Sequence, residues 1–291
     1  MSSGENRLAV WSAYGAMCAI WGTTWLAIKV SLNFIPPMTG VALRFIISGL
    51  VLLAVAALRG RLMPLRAMPW HLIAMLAIFL FGLNYVLAYV AETRLDSGLV
   101  AVLFGTLPFF VFFFGHHFAD EPTTPRIWIG TALALAGVGV ISFSGQARGA
   151  PLYALAAIGS AALAAFGNVY AKRHSEHDPL VTLPASMLVS GIGVGVFGAF
   201  FERVSWTSAI APASIASLLY MAILGSSLAF WLNLWVLHRL PVWIVGLSSL
   251  IIPVIAVAVG IFLGGEHFTW RELGGSALVV AGIWFALSSS S

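Results

Sequence analysis

The sequence predicts an all-α membrane protein of ten transmembrane helices, folded as two inverted five-helix repeats around a central cavity. Three observations carry this. First, the 291-residue chain is 60% hydrophobic and 8% charged, with a mean hydropathy of +1.00, which leaves too little charge to coat a water-soluble surface. Second, its apolar residues form continuous runs, not the alternating pattern of a membrane barrel, so helices are the spanning option. Third, the chain matches itself at a fixed offset of 145 residues, with an odd number of runs in each copy.

A helix needs ~20 apolar residues to cross ~30 Å of hydrocarbon. Runs of that kind fall at 9–29, 38–58, 70–91, 97–118, 126–145, 151–171, 179–200, 214–237, 243–263 and 271–288. The first is read as a retained helix and not a signal peptide, because bulky Trp21 and Trp25 stand at its far end with no small-residue exit. The second carries Arg44 and ends at the basic 59–66 segment. The third holds Asn84, Tyr85 and Tyr89, and the fourth holds Phe104, Gly105, Thr106 and Pro108. The fifth carries Gly130, Gly137 and Gly139, small residues that allow helices to approach closely. The sixth holds Phe166, Asn168 and Tyr170 and stops at Lys172 and Arg173. The seventh repeats the glycine pattern with Gly191, Gly195 and Gly198. The eighth presents Trp231, Asn233 and Trp235 ahead of His238. The ninth carries Ser248, Ser249 and Pro253, and the tenth Gly275 and Gly282.

At the 145-residue offset Arg94 falls on Arg239, Pro108 on Pro253, Gly115 on Gly260, Glu121 on Glu266, Arg126 on Arg271, Gly130 on Gly275 and Gly137 on Gly282. Trp21 falls on Phe166 and Trp25 on Tyr170. The repeats are read as 9–145 and 151–288. Five spans per copy place the second copy upside down, and inverted copies of this kind build secondary transporters, with the substrate between the halves. With the N-terminus cytoplasmic, the inner side holds Arg7, Arg59, Arg61, Arg66, Arg126, Lys172, Arg173 and Arg239. The outer side holds Lys29, Arg94, Arg148, Arg203 and Arg271. Eight basic residues against five place both termini inside.

The doubled span–proline–span–Glu-x-x-x-x-Arg-x-x-x-Gly pattern, from Pro108 to Gly137 and again from Pro253 to Gly282, resembles the drug/metabolite transporter superfamily in its EamA branch. The resemblance covers nearly the whole chain. It implies a ten-helix fold of inverted repeats in the bacterial inner membrane and export of small metabolites from the cytoplasm.

Polar and aromatic residues inside the spans are the candidates for the cavity wall, because lipid penalises buried polar groups. They are Trp21 and Thr24; Asn84, Tyr85 and Tyr89; Phe166 and Asn168; and Trp231 and Asn233. Proline removes a backbone donor and crowds the carbonyl four residues back. Pro108 therefore frees the Phe104 carbonyl and Pro253 that of Ser249, beside the Ser248 hydroxyl. The alternative for the prolines is a static packing kink, and for the tryptophans an interfacial belt. Aromatic rings with amides suit a flat or apolar solute with polar ends, such as an amino acid.

Charges refine the reading. No Asp or Glu lies mid-run; Glu92 and Asp96 border a loop, which favours export down a gradient over coupling to protons or sodium. Arg44 would cost ~2.5–3.5 kcal/mol at mid-bilayer, so it snorkels, pairs or faces the cavity. Glu121 and Glu266 are expected to pair with Arg126 and Arg271. Cys18 is the single cysteine, so no intrachain disulfide forms, and no zinc spacing, phosphate loop or nucleophile–base cluster is present. The expected partners are lipid and a small-molecule substrate, with no cofactor, metal or nucleic acid, and one chain suffices as a monomer. The leading function is export of aromatic or other hydrophobic amino acids and related metabolites by alternating access. A proton-coupled exporter of drugs or other metabolites, and a membrane scaffold or sensor, remain as alternatives.

Overall fold

The computed structural model describes residues 3–119, 125–142, 150–174, 177–237, 239–240 and 248–287, which are helical almost throughout and contain no strand. Helix α1 is Ser3–Leu32 and α2 is Pro37–Leu58. Helix α3 spans Trp70–Glu92. Helix α4 comprises Ser97–Phe104 and Leu107–Ala119. Then follow α5, Pro125–Ser142; α6, Pro151–Arg173; and α7, Pro179–Phe201. Helix α8 covers 212–237 in three consecutive segments. The last two are α9, Ser248–Phe262, and α10, Trp270–Leu287. Proline opens α2, α6, α7 and α8, where its missing N–H has no partner to lose. Among the described residues seven helices are long and apolar enough to cross a bilayer: α1 to α4 and α6 to α8. Shorter apolar stretches lie at Trp128–Ile141 and Ile251–Phe262. Large apolar side chains such as Leu50, Phe200, Phe262 and Trp270 are exposed, as a lipid-facing surface requires.

The kink expected at Pro108 is a full interruption. Helix α4 stops at Phe104, turns through Gly105 and Thr106, and restarts at Leu107. The Thr106 hydroxyl donates to the Leu103 carbonyl at 2.7 Å, so a carbonyl at the break is satisfied locally. Pro253 sits inside α9, and its ring lies against Gly105, where a methyl group would be 3.3 Å from Cγ. The two proline regions therefore touch each other.

Two further features were not expected. Leu76–Leu83 in α3 and Tyr220–Leu228 in α8 are π-helical, and they fall at corresponding places under the 145-residue offset. In the first, a methyl at Gly82 would lie 2.7 Å from the Ala77 carbonyl oxygen, so glycine makes room for the wider turn. Helices at corresponding places also pack against each other. Gly191 of α7 lies on the Ala42 and Ile46 backbone of α2, and Gly49 of α2 lies on Leu188. Gly137 of α5 abuts the Gly275 backbone of α10, and Gly282 abuts that of Gly130. Numbers rise on one helix as they fall on the other, so both pairs run antiparallel.

A methyl at Gly282 would stand 2.5 Å from the Gly130 carbonyl oxygen, backbone that cannot swing aside. Overpacking of this kind costs about 1–3 kcal/mol. Gly282→Leu is expected to lower the thermal midpoint of the purified protein, as read by fluorescence-detected size exclusion after heating. The same change at exposed Gly274, where nothing lies within 4 Å of the new carbon, is expected to leave it in place.

Candidate functional site

Arg44 lies two turns into α2 and is 0% exposed. It does not snorkel. Its Nε donates to the Ser226 hydroxyl at 2.9 Å and its Nη2 to the Gly225 carbonyl at 3.4 Å, while buried Nη1 has no partner. Both acceptors belong to the π segment of α8. The Gly225 carbonyl there also accepts from the Trp21 indole at 3.2 Å. Serines line the same seam: Ser48 Oγ lies 2.6 Å from the Arg44 carbonyl oxygen and 3.0 Å from that of Ala222. Ser227 donates back to the Ser48 carbonyl at 3.3 Å.

Aromatic rings enclose the guanidinium. It sits over Tyr85, 4.6 Å from the ring centroid, with Phe45 at 5.6 Å. A guanidinium over a desolvated ring gains about 2 kcal/mol. Edge-to-face contacts continue the wall from Tyr85 to Phe45, Phe81, Phe230 and Trp21, with centroids 4.8–5.6 Å apart. Thr24 is buried and faces Gly225. Tyr89, one turn from Tyr85, is buried with its hydroxyl 3.2 Å from Met221 Sδ.

Of the residues singled out by sequence, Trp21, Thr24, Tyr85 and Tyr89 thus meet at one place. Several of the others make different contacts. Asn84 turns away from Tyr85: its amide donates to the Leu80 carbonyl and its oxygen accepts from Ser160 of α6 at 2.7 Å. Phe104 packs at a tilt against Trp25, with centroids 5.2 Å apart, and Pro108 and Pro253 are buried. Phe166 belongs to a second cluster with Phe79, Phe114 and Phe118. Asn168 is exposed, and Trp231, Asn233 and Ser248 are half-buried. The side chain of Ser249, and His238, lie outside the described residues.

A second polar cluster lies where α3 ends and α4 begins. Glu266 does not pair with Arg271. Its carboxylate accepts from the Ser97 N–H at 2.7 Å, the Ser97 hydroxyl at 2.5 Å and the Gly98 N–H at 3.1 Å, closing the N-terminus of α4. The free N–H groups and dipole of a helix start favour such an anion. Glu202 does the same for α2, accepting from Met38 N–H at 2.7 Å and from the Thr39 N–H and hydroxyl at 2.8 Å. Lys29 donates to the Glu92 and Leu95 main-chain oxygens at 3.0 and 2.7 Å, where carbonyls at the end of α3 attract a cation. Glu121 lies outside the described residues. Among those described, no group of three metal-ligating side chains forms.

The profile of the EamA-like transporter family matches residues 10–143 and 151–288. The chain is 30% identical over 281 residues to the "Uncharacterized inner membrane transporter YedA" of Escherichia coli strain K12, covering 93% of this chain and 89% of that one. It is 27% identical over 280 residues to the "Probable amino-acid metabolite efflux pump" of Salmonella typhimurium, covering 91% and 90%. One protein of known crystal structure superposes with a TM-score of 0.71 at 19% identity, over 96% of this chain and 97% of that chain. That likeness is one of fold.

Proposed function

We propose that this chain, which belongs to the EamA-like transporter family, exports hydrophobic amino acids or closely related carboxylates across the bacterial inner membrane by alternating access. The observation that carries the reading is the Arg44 site. A fully buried guanidinium is costly unless its donors are paired, and Arg44 keeps Nη1 open beside Nη2. A carboxylate that reached this fork would gain charge-assisted bonds of matching geometry. The rings of Tyr85, Phe81, Phe230 and Trp21 would then take an apolar side chain. The efflux pump named among the relatives supports the same class of solute.

The mechanism follows from duplication. The family profile matches each half once, the π segments correspond, and corresponding helices meet antiparallel. All three support ten spans in two inverted repeats, 9–145 and 151–288, with both termini cytoplasmic by the excess of basic residues on that side. Two inverted halves that exchange conformations open one cavity to alternate sides. A single chain holds both halves, so a monomer suffices.

The test is counterflow in proteoliposomes holding the full chain, with radiolabelled L-phenylalanine, L-tryptophan and L-leucine. Saturable exchange is expected, and phenethylamine, which lacks the carboxylate, is expected not to compete. Equal competition by the amine, or no saturable exchange of any amino acid, would remove the reading.

A further inference from the structure

Helix α2 ends in a fixed turn. Gly60 takes the left-handed conformation, with φ 64°, and the N–H groups of Gly60 and Arg61 close on the carbonyls of Ala57 and Ala56 at 3.0 and 2.9 Å. This is a glycine C-cap, which reverses the chain against the last helical turn. The connection to α3 then stays folded, because the Trp70 indole donates to the Leu65 carbonyl at 2.8 Å. Between this connection and the α2–α7 pair lies a cleft of about 200 Å³. Its walls are apolar: Leu53 of α2, Leu180, Ala185 and Leu188 of α7, and Leu62 and Met63 of the connection. Arg61 is the one charged residue in the lining, and Trp70 completes it. Leu62, Leu65 and Trp70 are exposed, so the cleft opens on a surface suited to lipid.

Positive charge gathers at the mouth. Arg59, Arg61 and Arg66 are all exposed, and no Asp or Glu lies in the connection. Arg59 and Arg66 have no ion pair among the described residues. Arg61 meets Asp178 at 3.5 Å with its side chain 63% exposed, a contact that water weakens. Asp178 has another partner, the Leu180 N–H at 2.9 Å, as the cap of α7. An indole such as that of Trp70 favours the level where hydrocarbon meets headgroups. The distribution of basic residues assigns this end to the cytoplasmic side. A soluble anion would gain nothing from the apolar walls, and an apolar solute nothing from the arginines. A lipid with an anionic headgroup uses both. We propose that the cleft binds one anionic phospholipid of the cytoplasmic leaflet. Its phosphate meets Arg61, with Arg59 and Arg66 flanking in the same connection, and part of one acyl chain lies between α2 and α7. Lipid held there ties α2, which carries Arg44, to α7 of the other repeat. The inference is independent of what the protein transports.

The experiment uses delipidated full-length protein in neutral detergent, with dioleoyl-phosphatidylglycerol as probe and dioleoyl-phosphatidylcholine as the net-neutral control. Native mass spectrometry is expected to show one phosphatidylglycerol retained in preference to phosphatidylcholine. An arginine near an anionic headgroup is worth about fivefold in affinity, so Arg61→Gln combined with Arg66→Gln is expected to weaken retention roughly 25-fold. Ala185→Phe keeps every charge and fills the cleft, and it is expected to lose the lipid as well. Glycerophosphoglycerol, the same headgroup without acyl chains, is expected not to displace the lipid at equal concentration. A ligand of the folded state raises the thermal midpoint, so phosphatidylglycerol is expected to raise it in wild type and not in the double glutamine variant. Equal retention of the two lipids by wild type, or unchanged retention by the double glutamine variant, overturns the proposal. Unchanged retention by a folded Ala185→Phe overturns it too. Should that variant not fold, displacement of the lipid by glycerophosphoglycerol is the result that removes the acyl-chain site. A dimer in place of retained lipid assigns the cleft to a second copy and likewise ends the proposal.

Discussion

Arg44→Lys is expected to weaken amino-acid exchange sharply, through half-saturation, while the protein still folds and runs as a single species on size exclusion. Lysine keeps the positive charge and much of the apolar stem, so a site that needed only a cation would survive. What it cannot supply is the arrangement seen here, in which Nε is anchored on Ser226, Nη2 lies on the Gly225 carbonyl and Nη1 is left over. A point charge on a flexible stem offers no two-pronged match to a carboxylate. It also loses the stacking over Tyr85. Hydrogen bonds to charged groups are worth about 1.5–3 kcal/mol each, and 1.4 kcal/mol is a factor of ten, so half-saturation is expected to rise roughly 10- to 100-fold. Half-saturation within twofold of wild type in counterflow would show that Arg44 is a structural cation and that substrate binds elsewhere. Arg44→Ala is the less informative change, because it also strips the donors from Ser226 and Gly225.

Glu266→Ala is the second large effect. Three donors at the start of α4 lose their acceptor together, two of them backbone N–H groups in a helix whose first residues, Ser97 and Gly98, are buried. Water cannot replace the carboxylate there without opening the contact between the α9–α10 connection and α4. Loss of a charged acceptor costs about 1.5–3 kcal/mol, and a chain of this size loses roughly 3–12 °C of thermal midpoint for it. Glu266→Gln keeps one oxygen acceptor and is expected to fall between wild type and alanine. A thermal midpoint for Glu266→Ala equal to that of wild type would show that the cap contributes nothing. Gly260 is part of the same device: a side-chain carbon there would collide with the Glu266 carboxylate, which gives a physical reason for glycine at that position.

The helical runs and their duplication were legible because both are properties of neighbouring residues and fixed offsets. The clustering of Trp21, Thr24, Tyr85 and Tyr89 followed from asking which polar and aromatic groups lipid would not tolerate. The rest depends on partners far along the chain. Arg44 was visible as an anomaly, but its acceptors stand 181 and 182 residues away on a stretch whose winding no 3.6-residue pattern reveals. Glu92 looked like a loop-edge carboxylate because nothing local announces that this end of α3 is sealed. Glu266 was assigned to Arg271, its neighbour in sequence, whereas helix α4 offers three oriented donors in space. Asn84 stands beside Tyr85 in the sequence, yet Ser160 of α6 claims it in space.

The π segments have a mechanical corollary. Each stores roughly one surplus residue relative to ordinary winding. In α3 the surplus lies between the half bearing His71 and the half bearing Tyr85 and Glu92; in α8 it lies ahead of Phe230. Rewinding such a stretch would swivel everything beyond it by about 100° and advance it by about 1.5 Å, with the first half left in place. Each long rod therefore contains a slipping joint, and the joint in α8 carries both acceptors of the guanidinium.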